Sequence, residues 1–301
     1  MFVRTWRISL FLWLAFVFCG LPGALASASL PPDRVFVNRA KFQKLVDRGV
    51  RENWRALPIG ERTARIGLAL EGTPYVNFTL ELHERIETPC VNMDGMDCWT
   101  FFEIALGTAR AFTLNPRPRP EDLLRMIELE RYRNGKCTGC FTSRLHHLED
   151  WQQDNARRGL VEDLTPKLPG ARKLQREMAY MGKNYRSFRQ LKANPRLVPI
   201  MQKIEADISR RGITYIPKAQ VPAIEKYLRN GDVISIVTTW PGTYTSHVGL
   251  AVRDRRGTLR FLHASRNHRK VILDERLSTY LNNNSKHQGI MVARPLDVRA
   301  R

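Results

Sequence analysis

The sequence predicts an α+β fold, with helices first and a mostly antiparallel sheet after them. Two patterns carry that prediction. Up to about residue 211 the apolar residues recur at helical spacing, and from residue 212 the period falls to two. Helices and strands segregated in this way argue against the alternating order of an α/β chain. A third feature marks the centre of the fold. The turn-forming pair Asp94-Gly95 leads into Asp97, and Cys98 then opens an apolar, helix-reading run that ends near Leu114.

The elements follow in order. Residues 29–33 are a short Pro-containing lead. Residues 38–54 carry Phe42, Leu45, Val46 and Val50 at helical spacing, and a second helix starts at Ile59 and passes through Ile66 and Leu70. Both are too short to form a domain and must cap something else. Residues 75–86 alternate loosely, as a strand pair beside a site would. The run 98–114 is apolar almost all round, which predicts a buried central helix, stopped by Pro116 and Pro118. Residues 121–131 and 143–157 read as two more helices, the second turning Leu148 and Trp151 to the core. Strands are predicted over 232–239, 248–253, 259–264 and 289–293, with a short one at 271–273 and a helix at 277–284. There is no internal repeat, no low-complexity segment and no Gly-rich phosphate loop.

Length and charge bound the function. The 301 residues are 43% hydrophobic and 9% aromatic, enough for a sizeable core, and the net charge of +20 predicts attraction to polyanions. Residues 1–28 choose among them. Arg4 and Arg7 precede an apolar segment from Ile8 to Leu21, and Ala24-Leu25-Ala26 and Ala26-Ser27-Ala28 are small-x-small cleavage sites. This is the pattern of a secretory signal peptide. Cys19 follows Phe18, a poor context for lipid attachment, and no later stretch is long and apolar enough to span a bilayer. The expected mature protein, residues 29–301, is therefore a single exported catalytic domain, with a helical part at about 35–211 and a sheet part at about 212–301. An exported chain makes nucleic acid an improbable partner and an acidic wall polymer a good one. Four cysteines remain: Cys90, Cys98, Cys137 and Cys140. In an oxidising compartment Cys137-Thr138-Gly139-Cys140 fits a disulfide better than a zinc cluster, closing on itself or with one cysteine reaching Cys90.

Cys98 at a helix start has the position of a thiolate nucleophile, because unpaired N–H groups there favour an anion and can later hold an oxyanion. Its base is sought on a strand. His247 opens the strand that begins Ser246-His247-Val248-Gly249, and after the turn at Asp254-Arg255-Arg256-Gly257 the chain returns through His263-Ala264-Ser265. A hairpin centred on Arg255 would put His247 directly opposite His263, with Cβ atoms roughly 5 Å apart. Nucleophile, base and orienting group is the logic of a triad. The same three residues as metal ligands would lack a fourth. Asp97 has two readings, a helix cap or a group that binds a substrate amine or hydroxyl.

Taken together, Asp97-Cys98-x-Thr100, Gly231-Asp232-Val233-Ile234, Ser246-His247-Val248-Gly249 and His263-Ala264-Ser265 resemble the NlpC-like, papain-like cell-wall peptidases and amidases. Ser143-Arg144-Leu145-His146-His147-Leu148-Glu149-Asp150-Trp151 brings the chain nearest to the N-acetylmuramoyl-L-alanine amidase-like family. The resemblance runs from about residue 35 to the end. It implies a papain-like fold with the Cys helix packed on an antiparallel sheet, Cys98 as nucleophile, His247 as base and His263 as the third polar residue. It also implies that Arg144 and His146 are wall residues of the cleft; with Asp97 and Ser246 they are the expected substrate-binding residues. One departure is His147, where the family pattern has an aromatic residue. The implied activity is periplasmic hydrolysis of the amide between N-acetylmuramic acid and L-alanine, with no cofactor and no metal. Cleavage of the γ-D-glutamyl-diaminopimelate bond is the alternative, and a lipid acyltransferase the more distant one.

Overall fold

The central helix Cys98–Leu114 begins and ends where its residues dictate. The computed structural model describes residues 30–298, so the expected signal segment lies outside the described residues. At the helix start the Asp97 carboxylate accepts the Thr100 N–H at 2.8 Å, and the Thr100 hydroxyl accepts the Asp97 N–H at 3.0 Å. This reciprocal box satisfies two backbone donors that a helix start leaves unpaired. At its far end Asn115 is extended, as a residue before proline must be. Every residue from Thr100 to Phe112 is buried. Phe101, Phe102 and Ala105 share one core with Val248, Leu250, Leu262 and Ala264 of the sheet. Each large apolar side chain buried in this way is worth roughly 1.5–3 kcal/mol.

The sheet is antiparallel throughout. Its strands lie in the order Arg172–Leu174, Ile213–Pro217, His287–Pro295, Val233–Thr238, Thr245–Arg253, Leu259–Ser265 and Lys270–Arg276. Val161–Asp163 also pairs with the end of His287–Pro295. The helix Ile59–Ala69 packs on both the central helix and the sheet, so close that a Cβ on Gly67 would stand 3.3 Å from Phe101 and 2.9 Å from Leu262. Helices segregated from an antiparallel sheet bear out the predicted α+β class.

Three local expectations are corrected. The segment 75–86 forms no strand pair; Tyr75 makes only an isolated bridge to Met96, and Phe78 takes a left-handed backbone (φ 62°) that no strand accommodates. The helix predicted over 143–157 is Leu148–Arg157. Before it, Arg144 bridges Tyr132, and the Leu145 N–H donates to the Arg131 carbonyl at 2.9 Å, which holds this segment extended. Finally, Cys90, Cys98 and Cys137 are free thiols. The expected disulfide is not made. Cys137 turns its sulfur to the Glu87 carbonyl (3.5 Å), whereas the Cys140 sulfur meets the Thr142 hydroxyl (3.3 Å).

Candidate active site

The hairpin that carries both histidines is built one residue differently from the predicted register. Gly257 adopts φ 78°, a left-handed conformation that glycine takes without steric penalty, and its N–H closes the turn onto the Asp254 carbonyl. The turn therefore centres on Arg256. Leu250 pairs with Leu262, Ala251 with Phe261, and Arg253 with Leu259. Paired numbers sum to 512 rather than 510. A shift of two keeps every side chain on its face. His247 and His263 are thus diagonal neighbours, not opposite ones, and the rings reach across that diagonal: His247 Nε2 lies 2.6 Å from His263 Nδ1. The residue on the His263 level is Gly249, where a Cβ would fall 2.8 Å from the His263 Cβ.

Two bulges aim the site. Ser246 is the extra residue where the register of Val233–Thr238 against Thr245–Arg253 shifts, immediately before His247. On the other side, Asp274 and Glu275 together oppose Phe261. Bulges bend a strand and redirect its side chains. Asp274 points at the second histidine, with Oδ2 3.0 Å from His263 Nε2. The result is a chain of three side chains, His247–His263–Asp274. Tyr280, from the helix Leu277–Asn282, packs beside it, with ring centroids 5.2 Å from His263 and 5.3 Å from His287.

Cys98 stands next to this chain. The Val248 N–H, one residue after His247, donates to the Cys98 sulfur. Burial, and then the Asp97 carboxylate, push the thiol up to about 12, against the pull of the Val248, Trp99 and Cys98 N–H groups. This corrects the expectation of a resting thiolate: desolvation and an adjacent anion outweigh the helix start. Burial pushes His247 well below its usual value, and His263 and His287 push it the same way, with Asp274 opposing. The Asp274 carboxyl is held below its usual range chiefly by its bond to His263. These shifts favour a thiol at Cys98, neutral imidazoles at His247 and His263, and a carboxylate at Asp274.

The other predicted site residues divide. Asp97 caps the helix. Ser246 is exposed beside His247. Arg144 is buried, with its guanidinium 3.3 Å from Glu87 and 3.7 Å from Glu81, and His146 bonds the Phe141 carbonyl at 2.8 Å. His147 lies between the carboxylates of Glu149 and Glu205, at 4.0 and 3.9 Å. Sequence reasoning missed Asp274 and Tyr280. Asp274 was findable in principle: it lies two residues from Ile272, the partner of His263, and so on the same face. The predicted strand stopped at Leu273, one residue short. The turn Arg266-Asn267-His268-Arg269-Lys270 is exposed along its length, and the Arg269 carbonyl accepts the Tyr75 N–H beside Met96.

Residues 65–290 match the family described as AmiA-like, N-acetylmuramoyl-L-alanine amidase-like. The chain belongs to that family. The match spans Cys98, both histidines and Asp274, while the helix Arg39–Arg51 precedes it. Among solved structures, this AmiA-like chain is similar to an N-acetylmuramoyl-L-alanine amidase from Bacteroides uniformis, at 32% identity and a TM-score of 0.72 over 79% of this chain and 99% of that one. It is also similar to a Bacteroides fragilis protein described as a candidate xylanase, at 35% identity and a TM-score of 0.69, covering 76% and 98%. A Legionella pneumophila protein at 23% identity shares the fold, with a TM-score of 0.63 over 86% and 97%. No curated protein matches. Membership of the AmiA-like family makes the chain an amidase-like peptidoglycan hydrolase by kinship. Among the described residues no helix is long and apolar enough to cross a membrane.

Proposed function

We propose that this protein is an exported, periplasmic cysteine amidase of papain-like, NlpC-type fold that cleaves the amide between N-acetylmuramic acid and L-alanine in peptidoglycan. The observation that carries the reading is the chain His247–His263–Asp274 beside a thiol at a helix start. His247 Nε2 is engaged by His263, so Nδ1 is the nitrogen that serves Cys98. It removes the Sγ proton as sulfur attacks the lactyl carbonyl. Because the resting group is a thiol, proton transfer and attack are coupled rather than preceded by an ion pair. The oxyanion is met by the Cys98 N–H. His247 returns the proton to the departing L-alanine nitrogen, leaving a thioester on Cys98. Water, deprotonated by the same Nδ1, then releases the muramoyl carboxylate and regenerates the thiol. In this reading Asp97, next to Cys98, and Ser246, next to His247, contact the substrate, as do Arg144 and His146. No cofactor or metal enters any step.

Glycoside cleavage, the chemistry in the name of the Bacteroides fragilis relative, calls for two carboxyl groups flanking the bond. Here Asp97 caps a helix and Asp274 is bonded to His263. The nearer second reading is cleavage of γ-D-glutamyl-diaminopimelate in the stem peptide, which needs the same thiol and base. The test is incubation of the mature protein, and of Cys98→Ala beside it, with defined muropeptides, the products being read by mass. Free stem peptide from the wild type alone is the expected result. Shortened stems would replace it with the endopeptidase, and intact muropeptides with a Cys98 inert to alkylation would remove the enzyme reading.

A further inference from the structure

We propose that Asp274 is a positioning residue that sets the proton arrangement of His247 through His263, so that His247 Nδ1 is the basic nitrogen facing Cys98. This rests on the cysteine-amidase reading for its activity test but not for its geometry. The argument counts protons along three side chains. Asp274 is a carboxylate and can only accept, so the hydrogen between Asp274 Oδ2 and His263 Nε2 (3.0 Å) sits on the imidazole nitrogen. A neutral imidazole carries one N–H, so His263 Nδ1 bears a lone pair. The 2.6 Å contact to His247 Nε2 must then be donated by His247. That leaves the lone pair of His247 on Nδ1, the form a general base requires. The neutral state of His263 is consistent with its burial, which pushes it below its usual value.

The surroundings hold Asp274 in this role. Its Oδ1 accepts the Glu275 N–H at 2.8 Å, and its carbonyl accepts from Arg260 Nε at 2.7 Å, so both ends of the residue are tied within the bulge. The titratable groups around the chain are His268 from the turn before Lys270–Arg276, His287 from the last strand and Tyr280 from Leu277–Asn282, which feels both Asp274 and the Cys98 of the central helix. Among the described residues none of these has a hydrogen bond to His263 Nε2 that could replace Asp274.

The bond from Glu275 gives the test a sharp form. In Asp274→Asn the amide oxygen stays with the Glu275 N–H, and the NH2 turns to His263 Nε2. Donation from that side reverses the relay and leaves the proton of His247 on Nδ1. Asp274→Ala removes the constraint without reversing it. We expect Asp274→Asn to lower kcat by about a thousandfold with KM little changed, and Asp274→Ala to lose less. A packing role alone would make Ala the worse of the two. Independently of substrate, nitrogen NMR of the 15N-histidine-labelled mature protein should show His247 protonated at Nε2 in the wild type and at Nδ1 in Asp274→Asn. Alkylation of Cys98 by iodoacetamide at neutral pH should slow in parallel. If the NMR pattern and the alkylation rate match wild type in Asp274→Asn, the inference is overturned, whatever happens to muropeptides. If both change while wild type leaves muropeptides intact, the inference stands and the amidase reading falls.

Discussion

Asp97 and Cys98 are adjacent residues with opposed demands. The carboxylate holds the helix start together through Thr100, and the same negative charge, after burial, raises the neighbouring thiol. Asparagine caps a helix as well as aspartate does, without the charge. Asp97→Asn should therefore leave the fold intact and lower the pH at which Cys98 becomes reactive, from about 12 toward the ordinary cysteine range. The rate of iodoacetamide alkylation against pH measures this. A midpoint that stays where it is, or moves up, would mean that desolvation alone governs the thiol. The sign is fixed by charge: removing an anion favours the thiolate, so the reactive form extends to lower pH.

At the scale of elements, the central helix and the helix Pro120–Arg131 are joined by charges that hydrophobic patterning does not reveal. Glu103 meets Arg131 at 2.8 Å, and Arg110 meets Glu130, all four side chains buried. Arg131 also donates to the Cys90 carbonyl at 3.1 Å, tying the helix pair to the segment that enters the site. Breaking such a pair from one side leaves a buried charge unpaired. Arg131→Met should cost about 3–5 kcal/mol, and Glu103→Leu with Arg131→Met should recover most of it. Urea unfolding reads this as a lower midpoint for the single variant at unchanged slope. Equal loss in the single and double variants would show that the cost lies in packing rather than charge. The same scale decides the geometry of the candidate site: two bulges and one left-handed glycine place His247, His263 and Asp274 in line.

For the whole molecule, the excess of 49 Lys and Arg over 29 Asp and Glu has a location that matters. The exposed turn 266–270 is basic and is tied by the Arg269 carbonyl to Tyr75, whose hydroxyl feels the charges of both Cys98 and Arg266. Attraction of such a surface to anionic murein is screened by salt, with a Debye length of about 10 Å at 0.1 M and about 3 Å at 1 M. Co-sedimentation of the mature protein with purified sacculi should fall steeply across that range, while turnover of small soluble muropeptides changes far less. Binding that is indifferent to salt would assign the recognition to apolar and hydrogen-bonding contacts instead.

Much of this was legible in the chain itself. The apolar run from Cys98 to Leu114, its Asp97 cap and its proline stop are local properties, so the helix appears with the predicted bounds. The histidines, at the start of one strand and in the returning one, also follow from period-two patterning. What stayed hidden is what depends on pairing across the sheet. Hairpin register turned on one backbone angle at Gly257, the direction of Asp274 on a bulge against Phe261, and the state of the Cys98 thiol on desolvation by elements far away in sequence. The three strands over 161–217 escaped notice because they are short and take their stability from neighbours rather than from their own pattern. The sequence by itself determined the fold class, the central helix and the two histidines that meet. Only the tertiary structure decided their register and brought Asp274 to them, because those depend on distances between segments that share no local signal.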